Sequence, residues 1–192
     1  MDSPLTCLSF LWGAWLLLWL VAALWTARTV TRQSIASRLA HGVLLLLGSA
    51  LLFRPTRLGP LARPLFPPTP WVAWVGVGLT AAGLGFTVWA RIHLGRFWSG
   101  MVTLKAEHAL IRTGPYALTR HPIYTGLLAA FAGTALARDS VAAFLGLGLL
   151  VASFVVKLRQ EERLLREHFG PAYQQYQAEV PALLPRPWAR VR

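Results

Sequence analysis

The chain has 192 residues, 55% of them hydrophobic and 14% charged, a balance that excludes a disordered tail. Runs of about 20 residues without a formal charge make a single small membrane domain the economical reading, since that length crosses roughly 30 Å of hydrocarbon as a helix. The net charge of +12, from 19 Lys and Arg against 7 Asp and Glu, is scattered between apolar runs, which points to anionic lipid headgroups and excludes a nucleic-acid-binding module.

Five spans follow in chain order. Leu8 to Ala27 is charge-free and carries Trp12, Trp15, Trp19 and Trp25, amphipathic rings suited to the ends of a spanning helix. It is not read as a signal peptide, because the preceding residues carry Asp2 and no Lys or Arg. The lone Cys7 has no partner for a disulfide and no companion ligand for a metal. Ile35 to Phe53 is a second span in which Arg38 and His41 must snorkel or sit at the interface. Arg54 to Pro70, with six prolines, excludes a long helix. Trp71 to Ala90 is a third span with two small-residue stripes, Gly76, Thr80, Gly83 and the offset Gly78, Ala82, Gly85, where a neighbouring helix can approach. Ile123 to Ala137 and Val141 to Val156, separated by Arg138, Asp139 and Ser140, form a tight helical hairpin.

Five spans place the two termini on opposite sides. One side then collects fifteen basic residues: Arg28, Arg32, Arg38, Arg91, Arg96, Lys105, Arg112, Arg120, Lys157, Arg159, Arg163, Arg166, Arg186, Arg190 and Arg192. The other collects four: Arg54, Arg57, Arg63 and Arg138. Positive charge faces the cytoplasm, so the amino terminus is expected outside and the carboxyl terminus inside.

Two cytoplasmic segments, Arg91 to Tyr124 and Lys157 to Trp188, are denser in functional groups than an anchor requires. Gly114-Pro115-Tyr116 breaks the chain, and Arg120-His121-Pro122-Ile123-Tyr124-Thr125-Gly126 leads into a span with Pro122 in its first turn. Arg120 and His121 are thereby expected beside a helix amino terminus, a reception site for a carboxylate-bearing ligand. Past the last span, the amphipathic run Leu158, Glu161, Glu162, Leu165, Phe169 ends at Gly170-Pro171.

These strings carry a resemblance. His108-Ala-Leu-Ile-Arg-Thr-Gly-Pro-Tyr116, the Arg120 to Gly126 string, and Glu161-Glu162 running through Gly170-Pro-Ala-Tyr173-Gln-Gln-Tyr176 together resemble the isoprenylcysteine carboxyl methyltransferase family of integral membrane enzymes. Leu94-Gly95-Arg96-Phe97-Trp98-Ser99 also matches, so the likeness covers about residues 85–188. Phospholipid N-methyltransferases and small bacterial thiol methyltransferases are similar through the same Arg-His-Pro element and acidic pair. The resemblance implies an all-α integral membrane domain, 1–192, with amino-terminal spans over 1–84 and a methyltransferase core over 85–192. It implies S-adenosylmethionine as donor and a hydrophobic or lipid-linked acceptor. Carried over by position, the donor contacts are His108, Ala109, Leu110, Ile111, Tyr116, His121, Pro122, Ile123, Tyr124 and Glu161. Glu161 suits the ammonium of the methionine moiety and His121 its carboxylate. The family's substrate-side Arg falls on Lys157, with Arg159 two residues later; the cation stays and the bidentate fork is lost. For a protic acceptor, His121, Glu161 or Glu162 would take the proton. A carboxylate acceptor needs no base.

Bland alternatives stand beside these. The acidic pair could be a solvated face matched to Arg159, Arg163 and Arg166, and Tyr173 and Tyr176 read first as packing residues. Trp98 serves equally as pocket wall or interface anchor. His41 and His93 lack any partner pattern and are read as non-ligands. The Gly76-Gly78 and Gly83-Gly85 pairs lie in an apolar span, which rejects a dinucleotide fingerprint. The non-enzyme alternative is a membrane scaffold; the scarcity of intramembrane charge argues against a transporter.

Overall fold

The computed structural model describes residues 3–24, 29–32, 35–54, 59–67, 69–95, 103–105 and 110–185. Each stretch expected as a span is helical over most of its length. Helix α1 (Pro4–Ala23) starts four residues earlier than expected, with Ser3 as cap accepting from Thr6 N at 3.2 Å and Pro4 in the first turn. Helix α2 (Ile35–Phe53) matches its expected bounds. Helix α3 (Pro70–Leu94) runs four residues further, so Arg91 sits inside it rather than in the connection. Its guanidinium donates to Ala22 O and Gly95 O, both at 2.6 Å, closing the carboxyl ends of α1 and α3 together. A single turn, α4 (Pro115–Leu118), precedes α5 (Pro122–Arg138), α6 (Val141–Phe169) and α7 (Pro171–Glu179). One addition to the helical body is a two-stranded antiparallel ribbon, β1 (Thr29–Arg32) on β2 (Thr103–Lys105). It ties the α1–α2 connection to the segment after α3.

Among the described residues three helices, α1, α3 and α6, are long and apolar enough to cross a membrane. The apolar part of α2, Leu39–Phe53, is shorter, and α5 has 17 residues, about 26 Å at 1.5 Å per residue. Phe10, Leu17, Leu46, Trp71 and Ile92 turn outward, as lipid-facing side chains do.

Packing follows the small residues. Helix α3 lies on α5, and α2 on α6. A Cβ on Gly76 would stand 2.5 Å from Gly133 O, and one on Gly83 2.5 Å from Gly126 O, with the reciprocal contacts equally close. The stripe Gly76, Thr80, Gly83 is therefore the helix contact. Gly78 and Gly85 face open space. Threonines fill the seam: Thr80 Oγ1 donates to Gly76 O at 2.9 Å and Thr134 Oγ1 to Ala130 O at 2.8 Å.

The tryptophans of α1 depart from the interfacial role expected of them. Trp12 Nε1 donates to Thr134 Oγ1 at 3.0 Å and Trp15 Nε1 to Thr87 Oγ1 at 2.7 Å, and the Trp12 ring stacks on Phe131 at 5.1 Å. Buried threonine hydroxyls turn the indoles inward, since an N–H in an apolar layer needs an acceptor. Trp25 lies outside the described residues.

The α5–α6 turn is held from the loop after α2. Asp139 caps α5 with φ 40°, its Oδ1 accepts from Leu65 N at 3.0 Å and Phe66 N at 3.2 Å, and Ser140 caps α6. At the opposite end of the bundle gather the carboxyl ends of α1 and α3, the start of α5 and the charged part of α6.

Candidate functional site

At that charged end a cavity of about 610 Å³ opens between the helices, a size usual for small-molecule sites. Its polar part is built from Leu110, Ile111, Tyr116, Arg120 to Tyr124, Lys157, Glu161, Leu165, Tyr173 and Tyr176. Its apolar part is built from Trp12, Trp15, Trp19, Leu45, Phe53, Leu127, Phe131 and Phe154.

Local chemistry explains the polar wall. Gly114 adopts φ 59°, and a Cβ there would stand 2.7 Å from the His93 ring, so this turn requires glycine on both counts. It presents Tyr116, whose ring lies over His93 and whose phenol is pushed up by burial and by Glu161, staying a neutral hydroxyl. His93, read as a non-ligand, is the buttress of this turn, with Nε2 2.9 Å from Thr113 Oγ1. His121 caps α5 and Pro122 takes its first position, as expected.

The adjacent carboxylates diverge. Tyr124 Oη donates to Glu161 Oε2 at 2.5 Å, and His121 Nδ1 stands 3.8 Å from the same oxygen. His121 and Tyr124 stack nearly parallel at 5.4 Å. Glu161 lines the cavity. Glu162 points the other way and accepts from Arg120 Nε at 2.9 Å and Nη2 at 2.5 Å, from Gln177 Nε2 at 3.1 Å, and lies 3.3 Å from His121 Nε2. Burial would raise its carboxyl, yet the hydrogen bonds from His121 and Arg120 and their charge outweigh this and hold it at about 2.

Arg120 is spent on this clamp rather than held ready for an anion. Besides Glu162 it donates to Gln177 O and Val180 O. The backbone N–H groups of Arg120 and His121 are also taken, by Pro181 O at 2.9 Å and Ala182 O at 3.1 Å. Thr125 Oγ1 reaches Leu183 O at 2.7 Å. The segment after α7 thus straps the start of α5, and Arg120, expected to receive a carboxylate-bearing ligand, is engaged by Glu162 and by that segment.

Of the residues expected from sequence, Leu110, Ile111, Tyr116, His121, Pro122, Ile123, Tyr124, Lys157 and Glu161 share the cavity wall. Lys157 Nζ stands 5.4 Å from the Tyr124 ring centre. Glu162 and Arg159 are not on that wall. His108, Ala109 and Trp98 lie outside the described residues, as does the side chain of Arg38. Tyr173 and Tyr176, expected to pack, are buried and close the cavity beneath α7. Tyr176 Oη donates to Tyr116 O at 2.5 Å, while the buried Tyr173 Oη, beside Arg120, donates to no acceptor among the described residues.

The sequence reading missed Trp12, Trp15 and Trp19 as cavity wall, and His41. Spacings of three and four on one helix face signalled the first group. An ionisable residue in an apolar span signalled the second.

The profile of the family described as Phospholipid methyltransferase matches residues 71–172, just over half of the chain. Curated relatives include a protein-S-isoprenylcysteine O-methyltransferase B of Arabidopsis thaliana, 27% identical over 118 residues, 60% of this chain and 60% of that protein. A methanethiol S-methyltransferase of a Pseudomonas species is 31% identical over 138 residues, 66% of this chain and 52% of that protein. A cobalt-zinc-cadmium resistance protein of Cupriavidus metallidurans is 31% identical over 129 residues, 66% of this chain and 58% of that protein. The match thus spans between about half and three-fifths of these relatives' length.

Proposed function

The chain belongs to the phospholipid methyltransferase family, and on that premise we propose that it is a membrane methyltransferase using S-adenosylmethionine and acting on a small or lipidic hydrophobic acceptor. The observation that carries the reading is the Tyr124–Glu161–His121 cluster on the wall of a cavity whose polar part adjoins an aromatic one.

The donor fits the residues present. Glu161 lines the cavity and brings a second carboxylate oxygen beside the Oε2 that Tyr124 engages, which suits an ammonium. Tyr173 Oη is a buried donor waiting for an acceptor. The bound donor would supply an electrophilic methyl group on a sulfonium. Glu161 binds the amino group of the methionine moiety, His121 its carboxylate, and Tyr116 with Ile111 flanks the base. The walls align the nucleophile and exclude water, which is most of what an in-line displacement asks of a protein. The aromatic part accommodates the acceptor.

The decisive experiment is calorimetric titration of the detergent-solubilised protein with S-adenosylhomocysteine. Saturable binding, weakened roughly 10- to 150-fold by Glu161→Gln through loss of one charge-assisted contact, supports the reading. Absence of binding to the folded wild type refutes it. Radiolabelled transfer followed by base treatment then sorts the acceptors, because only a methyl ester releases methanol.

A further inference from the structure

His41 was set aside as a sequence feature, but the packing of α2 on α6 brings it to the cavity, 112 residues from its partner Ser153. One tautomer satisfies all the hydrogen bonds around it. Ser153 Oγ donates to the backbone carbonyl of His41 at 3.1 Å, because a carbonyl only accepts. That use of the single hydroxyl proton makes the 2.6 Å contact between Ser153 Oγ and His41 Nδ1 a bond donated by the ring. The 3.3 Å contact of Nδ1 with Ser153 O agrees, since that oxygen too can only accept. A proton on Nδ1 satisfies all three contacts at once and leaves the lone pair on Nε2.

The neighbours of that lone pair set the chemistry it can serve. Ser153, Lys157, Glu161 and Leu165 repeat every four residues along one face of α6, and the last three line the cavity. The face covers about 18 Å from Ser153 to Leu165 at 1.5 Å per residue. Glu161 lies toward the end assigned to the donor, and His41 two turns deeper, among Leu45, Phe154 and the tryptophans of α1. Lys157 stands between them.

We infer that His41 is the catalytic proton acceptor, its Nε2 taking the S–H proton of a thiol held in the aromatic part of the cavity beside Lys157. This rests on the methyltransferase reading and deepens it. The thiol sulfur forms a bond to the methyl carbon, the bond from that carbon to the sulfonium breaks with its electron pair going to the departing sulfur, and the thiol proton passes to His41 Nε2. The positive charge of the sulfonium ends on the imidazolium, so charge balances. A carboxylate acceptor brings no proton and has no use for a lone pair at this point. An amine acceptor develops positive charge on nitrogen, which Lys157 opposes, whereas a thiol develops negative charge on sulfur, which Lys157 favours. Aromatic walls suit sulfur as well.

The test compares two thiols in transfer from S-adenosylmethionine: butanethiol, protonated at neutral pH, and para-nitrothiophenol, ionised there. His41→Gln is expected to slow transfer to butanethiol by roughly 10²–10⁴-fold, the range of general-base catalysis, while on the ionised thiol the loss shrinks below about 10-fold. Ser153→Ala, which removes the 2.6 Å partner of Nδ1, leaves it only the backbone carbonyl at 3.3 Å and keeps the ring, is expected to slow butanethiol roughly 10–100-fold. An equilibrium reading needs no turnover: thiophenol added to the donor-free protein at about pH 5, where it is protonated in bulk water, should show thiolate absorbance with wild type and lose it with His41→Gln. Equal losses on both thiols, or full transfer to butanethiol in both variants, overturns the inference. So does a wild type that binds S-adenosylhomocysteine and methylates only a carboxylate or amine acceptor, a result that leaves the methyltransferase reading intact. A wild type that binds no S-adenosylhomocysteine removes that reading and this inference with it.

Discussion

Breaking the Arg120–Glu162 pair would strand a charge, because the two side chains are 9% and 12% exposed. Glu162→Ala is accordingly expected to cost about 3–5 kcal/mol of stability, measured as a shift in the unfolding midpoint in detergent. Glu161→Gln, at a carboxylate that is 32% exposed, should leave the midpoint nearly in place and act on ligand binding instead. The pair also sets an acid limit. Glu162 is held at about 2 against an ordinary 4.5, so its stabilisation is complete above about pH 4.5 and is lost as pH falls through about 2. The wild-type midpoint should drop across that window, and Glu162→Gln should flatten the drop. Much of this wall was legible, since the Arg-His-Pro string and the acidic pair gave His121, Tyr124 and Glu161 directly. The division of labour between Glu161 and Glu162 was not, because neighbours on a helix point about 100° apart and only α7 and its strap decide which faces the cavity. His41 was half legible: an ionisable residue in an apolar span marks it, but its partner Ser153 lies on another helix and nothing local to either residue announces the other.

Helix α3 carries two small-residue stripes of identical spacing, and only one meets α5. Gly83→Ala puts a methyl 2.5 Å from Gly126 O and should destabilise by about 1–3 kcal/mol. Gly78→Ala, with nothing within 4 Å, should be neutral or stabilising by up to about 1 kcal/mol through helix propensity. Thermal unfolding of the two variants side by side checks both. Periodicity found the helices and their small-residue faces, but it could not choose between stripes, because the choice is made by Gly126 and Gly133 on another element. The inward tryptophans of α1 escaped for the same cause: Thr87 and Thr134, which hold their indoles, are supplied by α3 and α5.

Across the whole molecule, α1 and α2 supply about a third of the residues that line the cavity, so residues 85–192 do not by themselves enclose it. A chain lacking residues 1–28 is expected to keep calorimetric binding of S-adenosylhomocysteine and lose transfer to a hydrophobic acceptor; equal transfer by the shortened chain would remove α1 from the acceptor wall. The orientation expected from the basic residues predicts that a reporter fused after Leu118 reads as cytoplasmic, and an outside reading would reverse it. The strap over α5 carries a consequence for biosynthesis. Arg120 and His121 leave the ribosome about 60 residues before Pro181 and Ala182, the carbonyls that seal their N–H groups, a delay of about 3–12 s at ordinary translation rates. During that interval the helices through α6 can insert while the donor end still gapes. A nascent or prematurely terminated chain would therefore be a membrane resident without a finished pocket, and competence would arrive only with the last stretch of translation.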